Sequence, residues 1–109
     1  MDVEPEMTNT GADADAHGKA RVRVEIDCDR DFRVEVDDLA VGSYELVVGG
    51  VVRGTIDVAD IGAGDTEGDI EFDNDPDQPG EILLDFDPRG ELVEVRQAGT
   101  VFLSVTMPE

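Results

Sequence analysis

The chain has one cysteine, one histidine and no tryptophan in 109 residues, and each scarcity removes a class of protein. Cys28 alone cannot make an internal disulfide, so the fold has to be held by its core. One imidazole and one thiol cannot supply the ligand sets that zinc, copper and haem iron require. A Ser-His-Asp hydrolase needs a histidine held beside its nucleophile, and His17 falls in a stretch that reads as a tail, remote in sequence from Ser43 and Ser104. Without a folded histidine to lower its pKa, Cys28 reads as a small apolar residue at a strand end and not as a nucleophile. Acidic pairs for glycoside hydrolysis abound, yet with Tyr44 the sole tyrosine there is little aromatic surface on which to seat a sugar. No catalytic residue is assigned, and the chain is expected not to be an enzyme.

Apolar runs of membrane-spanning length are also lacking, and "MDVEPEMTNTG" has neither the basic nor the apolar region of a signal peptide. The expectation is a soluble protein without membrane insertion, cytoplasmic by default and extracellular if a leader has been removed. Lysine is nearly absent, Lys19 standing alone beside seven arginines. The 28 acidic side chains against 8 basic ones give a formal charge of -20, which repels phosphate backbones and excludes nucleic acid as a direct partner. Acids spread over nearly every turn and alternate strand position, with little lysine, fit a surface adapted to high salt. A rival reading is a charge mimic whose carboxylates imitate phosphates and occupy a basic partner.

What is present is alternation. Apolar residues recur at every second position in Val22-Val24-Ile26, Phe32-Val34-Val36 and Tyr44-Leu46-Val48, with Arg21, Arg23, Glu25, Arg33, Glu35 and Asp37 between them. Period two means strands with one buried face and one wet face. "ELVVGGVVRGTIDV" sets Gly49-Gly50 between two β-branched runs, a signature of a tight hairpin. "LVEVRQAGTVFLSV" reads likewise, with a slightly longer turn around Gln97 to Thr100. Residues 1–18 carry Pro5, Gly11, Gly18 and "ADADAH" and read as a flexible acidic tail, leaving residues 19–109 as one β domain.

The expected class is therefore all-β, an antiparallel sandwich or small barrel of about eight strands. A shift of about 49 residues lays Tyr44, Leu46, Gly50, Val52 and Ile56 on Val93, Val95, Gly99, Val101 and Val105. With a one-residue slip, Phe32, Val34 and Val36 fall on Ile82, Leu84 and Phe86, and Val22 and Val24 on Ile70 and Phe72, so two four-stranded pseudo-repeats are a further possibility.

Two stretches suggest ligands. "GAGDTEG", Gly62 to Gly68, lacks phosphate-loop spacing and carries Asp65 and Glu67 where a phosphate would sit, so it reads as a flexible acidic loop. "FDNDPDQPGE" alternates Asp73, Asp75 and Asp77 as a calcium loop would, and "DCDRD" repeats the spacing at Asp27, Asp29 and Asp31. In an EF-hand register the essential glycine and glutamate would be Gln78 and Leu84, or Phe32 and Asp38, and both registers fail. A calcium site could still form where Asp73, Asp75 and Asp77 meet Asp85 and Asp87 of "LDFDPRGE", with Glu91 nearby. That makes a calcium-stabilised domain a third reading; otherwise no cofactor is expected.

"LAVGSYELVV", Leu39 to Val48, resembles the L-x-x-G-x-Y-x-L-x-V pattern of prealbumin-like and carboxypeptidase-regulatory-like β-sandwich modules. In those modules the leucine and tyrosine plug the end of the core around a glycine turn. The resemblance covers about ten residues and the following hairpin, implies accessory, structural or adhesive work, and brings no catalytic residues. "LDFDPRGE" has no counterpart in it. The resulting expectation is a non-enzymatic acidic module with a binding or architectural role, acting on an unknown protein partner or on a second copy through sheet edges or faces.

Overall fold

The structure, a computed structural model, describes residues 2–25, 29–75 and 79–108, and among them there are ten strands and no helix. These are β1 (Asp2–Val3), β2 (Thr8–Asn9), β3 (His17–Val24), β4 (Arg30–Asp37), β5 (Gly42–Val48), β6 (Val51–Gly62), β7 (Asp65–Asp73), β8 (Ile82–Leu83), β9 (Leu92–Gln97) and β10 (Thr100–Thr106). They form one curled sheet in the order β1-β3-β4-β7-β6-β5-β9-β10-β2, with β8 beside β7. Every pairing is antiparallel except the parallel contact of β8. The curl is made by β6, whose Val51–Val58 pair with β5 while Ala59–Gly62 pair with β7. At the bend the backbones nearly touch, since a Cβ on Gly68 would lie 2.8 Å from the Asp57 carbonyl oxygen, so that position accepts only glycine.

The alternation read from the sequence sets the core. Ala20 and Val22 of β3, Phe32, Val34 and Val36 of β4, Tyr44, Leu46 and Val48 of β5 and Ile70 and Phe72 of β7 are all buried. Ile26, expected to continue the first strand, and Cys28 lie outside the described residues. All five aromatic rings fall into two clusters. Phe86 stands edge-on to Phe72 and Phe32, with centroids 5.3 and 6.1 Å away, beside the start of β4. Tyr44 stands edge-on to Phe102 at 5.5 Å. The Tyr44 hydroxyl donates to the Ala40 carbonyl at 2.7 Å, in the connection that follows β4, so the core is plugged aromatically near both ends of that strand.

Turn chemistry holds in one case and is tighter than expected in two. Gly49 and Gly50 have φ of 59° and 82° and close a two-residue hairpin between Val48 and Val51. The second hairpin is equally short: Gln97 pairs with Thr100, and Ala98 and Gly99 take φ of 51° and 81°. "GAGDTEG" is no loop, because Gly62 pairs with Asp65 across Ala63 and Gly64 (φ 55° and 80°), and Thr66 to Gly68 already belong to β7.

The hairpins β5–β6 and β9–β10 match in register as well as in sequence. Val47 pairs with Val52 and Leu46 with Gly54, leaving Arg53 as a bulge, and Arg96 pairs with Val101 and Val95 with Leu103, leaving Phe102 as a bulge. Both bulged side chains meet an aromatic ring: the Arg53 guanidinium sits 4.4 Å over Phe86, and Phe102 meets Tyr44. The proposed counterparts β3–β4 and β7–β8 do not match. β4 is eight residues paired on both sides, whereas β8 is two residues, runs parallel to β7, and leaves Ile82 and Leu83 exposed. Repetition in the structure is therefore confined to the hairpin pair.

Residues 2–18 do not stand off the domain as the expected tail. Val3 pairs with Val22, the Met7 amide donates to Gly18 at 2.8 Å, and Thr8 and Asn9 pair with Ser104 and Leu103. Met7 and Ala16 join the core, and His17 is the first residue of β3. A Cα radius of gyration of 13.5 Å, against about 13 Å for a compact chain of this length, agrees. The physical reason is that β3 and β10 would otherwise each end the sheet with unpaired amides, and this segment pairs with both.

Candidate functional site

The outer face of β3, β4 and β7 is where the charged side chains are ordered. On β3 the outward positions are His17, Lys19, Arg21 and Arg23; on β4 they are Asp31, Arg33, Glu35 and Asp37; on β7 they are Glu67, Asp69, Glu71 and Asp73. Antiparallel pairing places these rows side by side, so the face grades from cationic to anionic. Lys19, Arg21, Arg23 and Arg33 are half of the basic side chains in the protein, gathered on one surface. The net charge alone does not show this grouping. The signal was in "KARVR", where period two puts three cations on one side of one strand.

Asp31 anchors this face. It is 6% exposed and lies opposite Asp73, a like-charged pairing that would be unfavourable alone. Arg23 offsets it, with Nε donating to Asp31 at 2.9 Å and its terminal nitrogen at 2.8 Å, while Arg21 approaches to 3.7 Å. The hydrogen bond and charge of Asp31 push the Arg23 guanidinium above its ordinary pKa. Arg33 bridges outward to Glu35 at 3.2 Å and Asp69 at 3.3 Å. The opposite half of the sheet has a comparable buried acid, Glu94, paired to Arg96.

Along the other edge of β3 runs the chain's own acidic strand. Asp2 lies opposite Arg23 and Glu6 opposite Lys19, so the cationic row is flanked by carboxylates on both sides. Along this segment Asp2, Glu4 and Glu6 are exposed, Val3 and Pro5 half-buried and Met7 buried, an alternation that continues past the two residues of β1. Pro5 lacks an amide yet still accepts from Ala20 through its carbonyl at 3.1 Å.

Of the residues proposed for calcium, Asp73 and Asp87 have hydrogen-bond partners close by in the chain. Asp73 Oδ1 accepts from the Asp75 amide at 2.8 Å, closing the turn after β7. Asp75 and Asp85 are exposed, and Asp77 lies outside the described residues, as does Asp27. Asp87 is clasped by Arg89, whose terminal nitrogen and Nε donate at 2.8 and 3.0 Å and whose amide donates at 3.0 Å. These bonds, with the charge of Arg30 adding, lower the Asp87 pKa to about 2. Among the described residues, no three His, Cys, Asp or Glu side chains converge as a metal group. The unfamiliar "LDFDPRG" instead closes the core, burying Leu84 and Pro88 and seating Phe86 under Arg53.

Two depressions adjoin the start of β3. One, about 480 Å³ in volume, is lined by Asp13, Asp15, His17, Asp38, Leu39 and Thr66; the other, about 210 Å³, by Glu6, Met7, His17, Lys19 and Asp37. Burial, and then the charge of Asp13, push the Tyr44 hydroxyl above its ordinary pKa of 10.0. Thr66 holds the wall of the larger one, donating to the Leu39 carbonyl at 2.5 Å. Both are open and polar, with His17 as the only imidazole. Ser43 is engaged elsewhere, donating to Asp57 at 2.9 Å. Compared with protein-family models, curated proteins and solved structures, the chain finds no match.

Proposed function

We propose that this chain is a non-enzymatic, salt-adapted β module that works by binding or as an architectural element, through the faces and edges of its sheet. The observation that carries this reading is the distribution of charge on the fold. Half the cations form one ordered face, while exposed acids occupy β5 (Glu45), β6 (Asp57, Asp60), the start of β7 (Asp65), the turn before β3 (Asp15) and the closing segment (Asp85). A charge mimic concentrates its carboxylates where the basic partner docks, whereas a hydrated, salt-adapted surface spreads them. The spread supports the module.

Salt-dependent unfolding tests it. The self-repulsion of a -20 chain works against the compact state, and the screening length falls from about 10 Å at 0.1 M salt to about 3 Å at 1 M. Denaturation midpoints should rise in potassium chloride and sodium chloride alike, most steeply below about 1 M. Midpoints flat from about 0.05 M to about 2 M would remove the salt-adapted reading. A saturable one-to-one complex with an oligo-arginine peptide that survives about 0.5 M salt would replace it with the charge mimic.

A further inference from the structure

We propose that the seam between β3 and β10 is a strand-binding site whose occupant, here the chain's own residues 2–9, can be supplied by a second copy of the chain, giving a strand-exchanged dimer. The inference rests on the reading of the chain as a binding module and names its binding surface and partner.

The seam has two unpaired edges to offer. Without residues 2–9, β3 would leave the Gly18 carbonyl and the Ala20 amide unpaired and open its edge as far as Val22 and Arg23, and β10 would open its edge at Leu103 and Ser104. An extended segment added along these edges gains main-chain hydrogen bonds irrespective of which molecule donates it. Side-chain chemistry then selects the segment. Lys19, Arg21 and Arg23 ask for carboxylates at every second residue, which Asp2, Glu4 and Glu6 provide. Gly18 and Leu103 form the floor under Met7, since a Cβ on Gly18 would stand 3.2 Å from the Met7 sulfur and 2.9 Å from the Leu103 methyl. A segment of alternating acidic and apolar residues ending in a flexible thioether fits, and a second copy carries one by construction.

The strand is lightly held and well hinged. Met7 is its one buried side chain, and its regular pairings are two residues at each end. Between Thr10, whose amide donates to the Phe102 carbonyl at 3.1 Å, and buried Ala16 lie Gly11, with φ 95° and open space around its Cα, and exposed Ala12, Ala14 and Asp15, the turn being closed by Asn9 Nδ2 donating to the Asp13 and Ala16 carbonyls at 2.7 and 3.1 Å. With those bonds open and the chain extended, residues 11–15 span up to about 17 Å, which carries the strand toward a neighbouring molecule. Exchange preserves every strand contact, so the balance is set by the hinge and by repulsion between two strongly acidic chains. Because that repulsion is screened, the dimer belongs to concentrated chain in high salt.

The test uses the whole chain. Sedimentation at about 0.1 M and about 2 M potassium chloride reads the mass, and a mixture of isotope-labelled and unlabelled chains, refolded together, reads which molecule supplies the strand. The expected result is a dimer whose dissociation constant falls about tenfold or more at high salt. In that dimer, isotope-filtered NMR shows contacts between Thr8–Asn9 of one chain and Leu103–Ser104 of the other. A chain monomeric at both salt concentrations up to millimolar protein overturns the proposal. A dimer in which those contacts stay within one chain also overturns it, while leaving the binding-module reading intact.

Discussion

Replacing Tyr44 by alanine should be among the most damaging single changes available to this fold. The ring is 1% exposed, stands edge-on to Phe102 at 5.5 Å, and its hydroxyl donates to the Ala40 carbonyl at 2.7 Å. Removing a buried aromatic of this size costs about 3–5 kcal/mol in transfer and cavity terms. Tyr44→Phe keeps the ring and loses only the hydrogen bond, for about 1 kcal/mol. With a urea slope of about 1–3 kcal/mol/M, the alanine variant should lose about 2 M of midpoint and the phenylalanine variant well under 1 M. The assay is far-UV circular dichroism in urea at about 1 M potassium chloride, where the self-repulsion common to all variants is screened. A double-mutant cycle with Phe102→Ala should show a coupling of about 0.5–1.5 kcal/mol for the edge-on pair. A loss below about 1 kcal/mol for Tyr44→Ala, or no coupling to Phe102, would show that the aromatic plug does not support the core.

Ala63 and Ala98 hold left-handed turn positions at φ 55° and 51° that suit asparagine better, so Ala63→Asn and Ala98→Asn should each raise stability by about 0.5–1 kcal/mol in urea titrations. Tyr44 is the sole tyrosine and tryptophan is absent, so its ionisation can be followed cleanly by ultraviolet absorbance. With the folded pKa raised, the stabilisation it reports is intact below 10.0 and lost as pH climbs through the folded value, so ionisation and unfolding should rise together above that pH. For Asp87 the sign reverses: its pKa of about 2 against 3.8 gives stability present above about pH 4 and lost toward pH 2. Since its carboxylate is about half exposed, Asp87→Asn should cost under about 1 kcal/mol at pH 7. Millimolar calcium should shift the melting temperature no more than an ionic-strength control does. A saturable shift that magnesium fails to reproduce, abolished in Asp73→Asn/Asp75→Asn, would establish the two-loop calcium site.

Period-two alternation was legible in the sequence by itself because burial of one face is a local constraint, written residue by residue. It determined the all-β class, the core phase of Phe32, Val34, Val36, Tyr44 and Leu46, and the Gly49-Gly50 hairpin, whose positive φ values only a few residue types accept. It also paired the two hairpins, down to positions that prove to be bulges at Arg53 and Phe102. The same alternation, Val3-Pro5-Met7 among Asp2, Glu4 and Glu6, was present in the first residues and went unread, because a proline and a lack of β-branched runs make a weak strand signal. What strengthens it lies elsewhere in the chain: the edges of β3 and β10 need a partner, and sequence spacing does not reveal that two distant strands end side by side. The acidic loops divide differently: Asp73 accepts from the Asp75 amide and Asp87 from Arg89, contacts two residues apart that spacing alone allows. The tertiary structure set Arg33 beside Arg21 and the acids of β4 and β7 beside the cations of β3, because which charges of different strands become neighbours is decided by strand pairing across the sheet and not by distance along the chain.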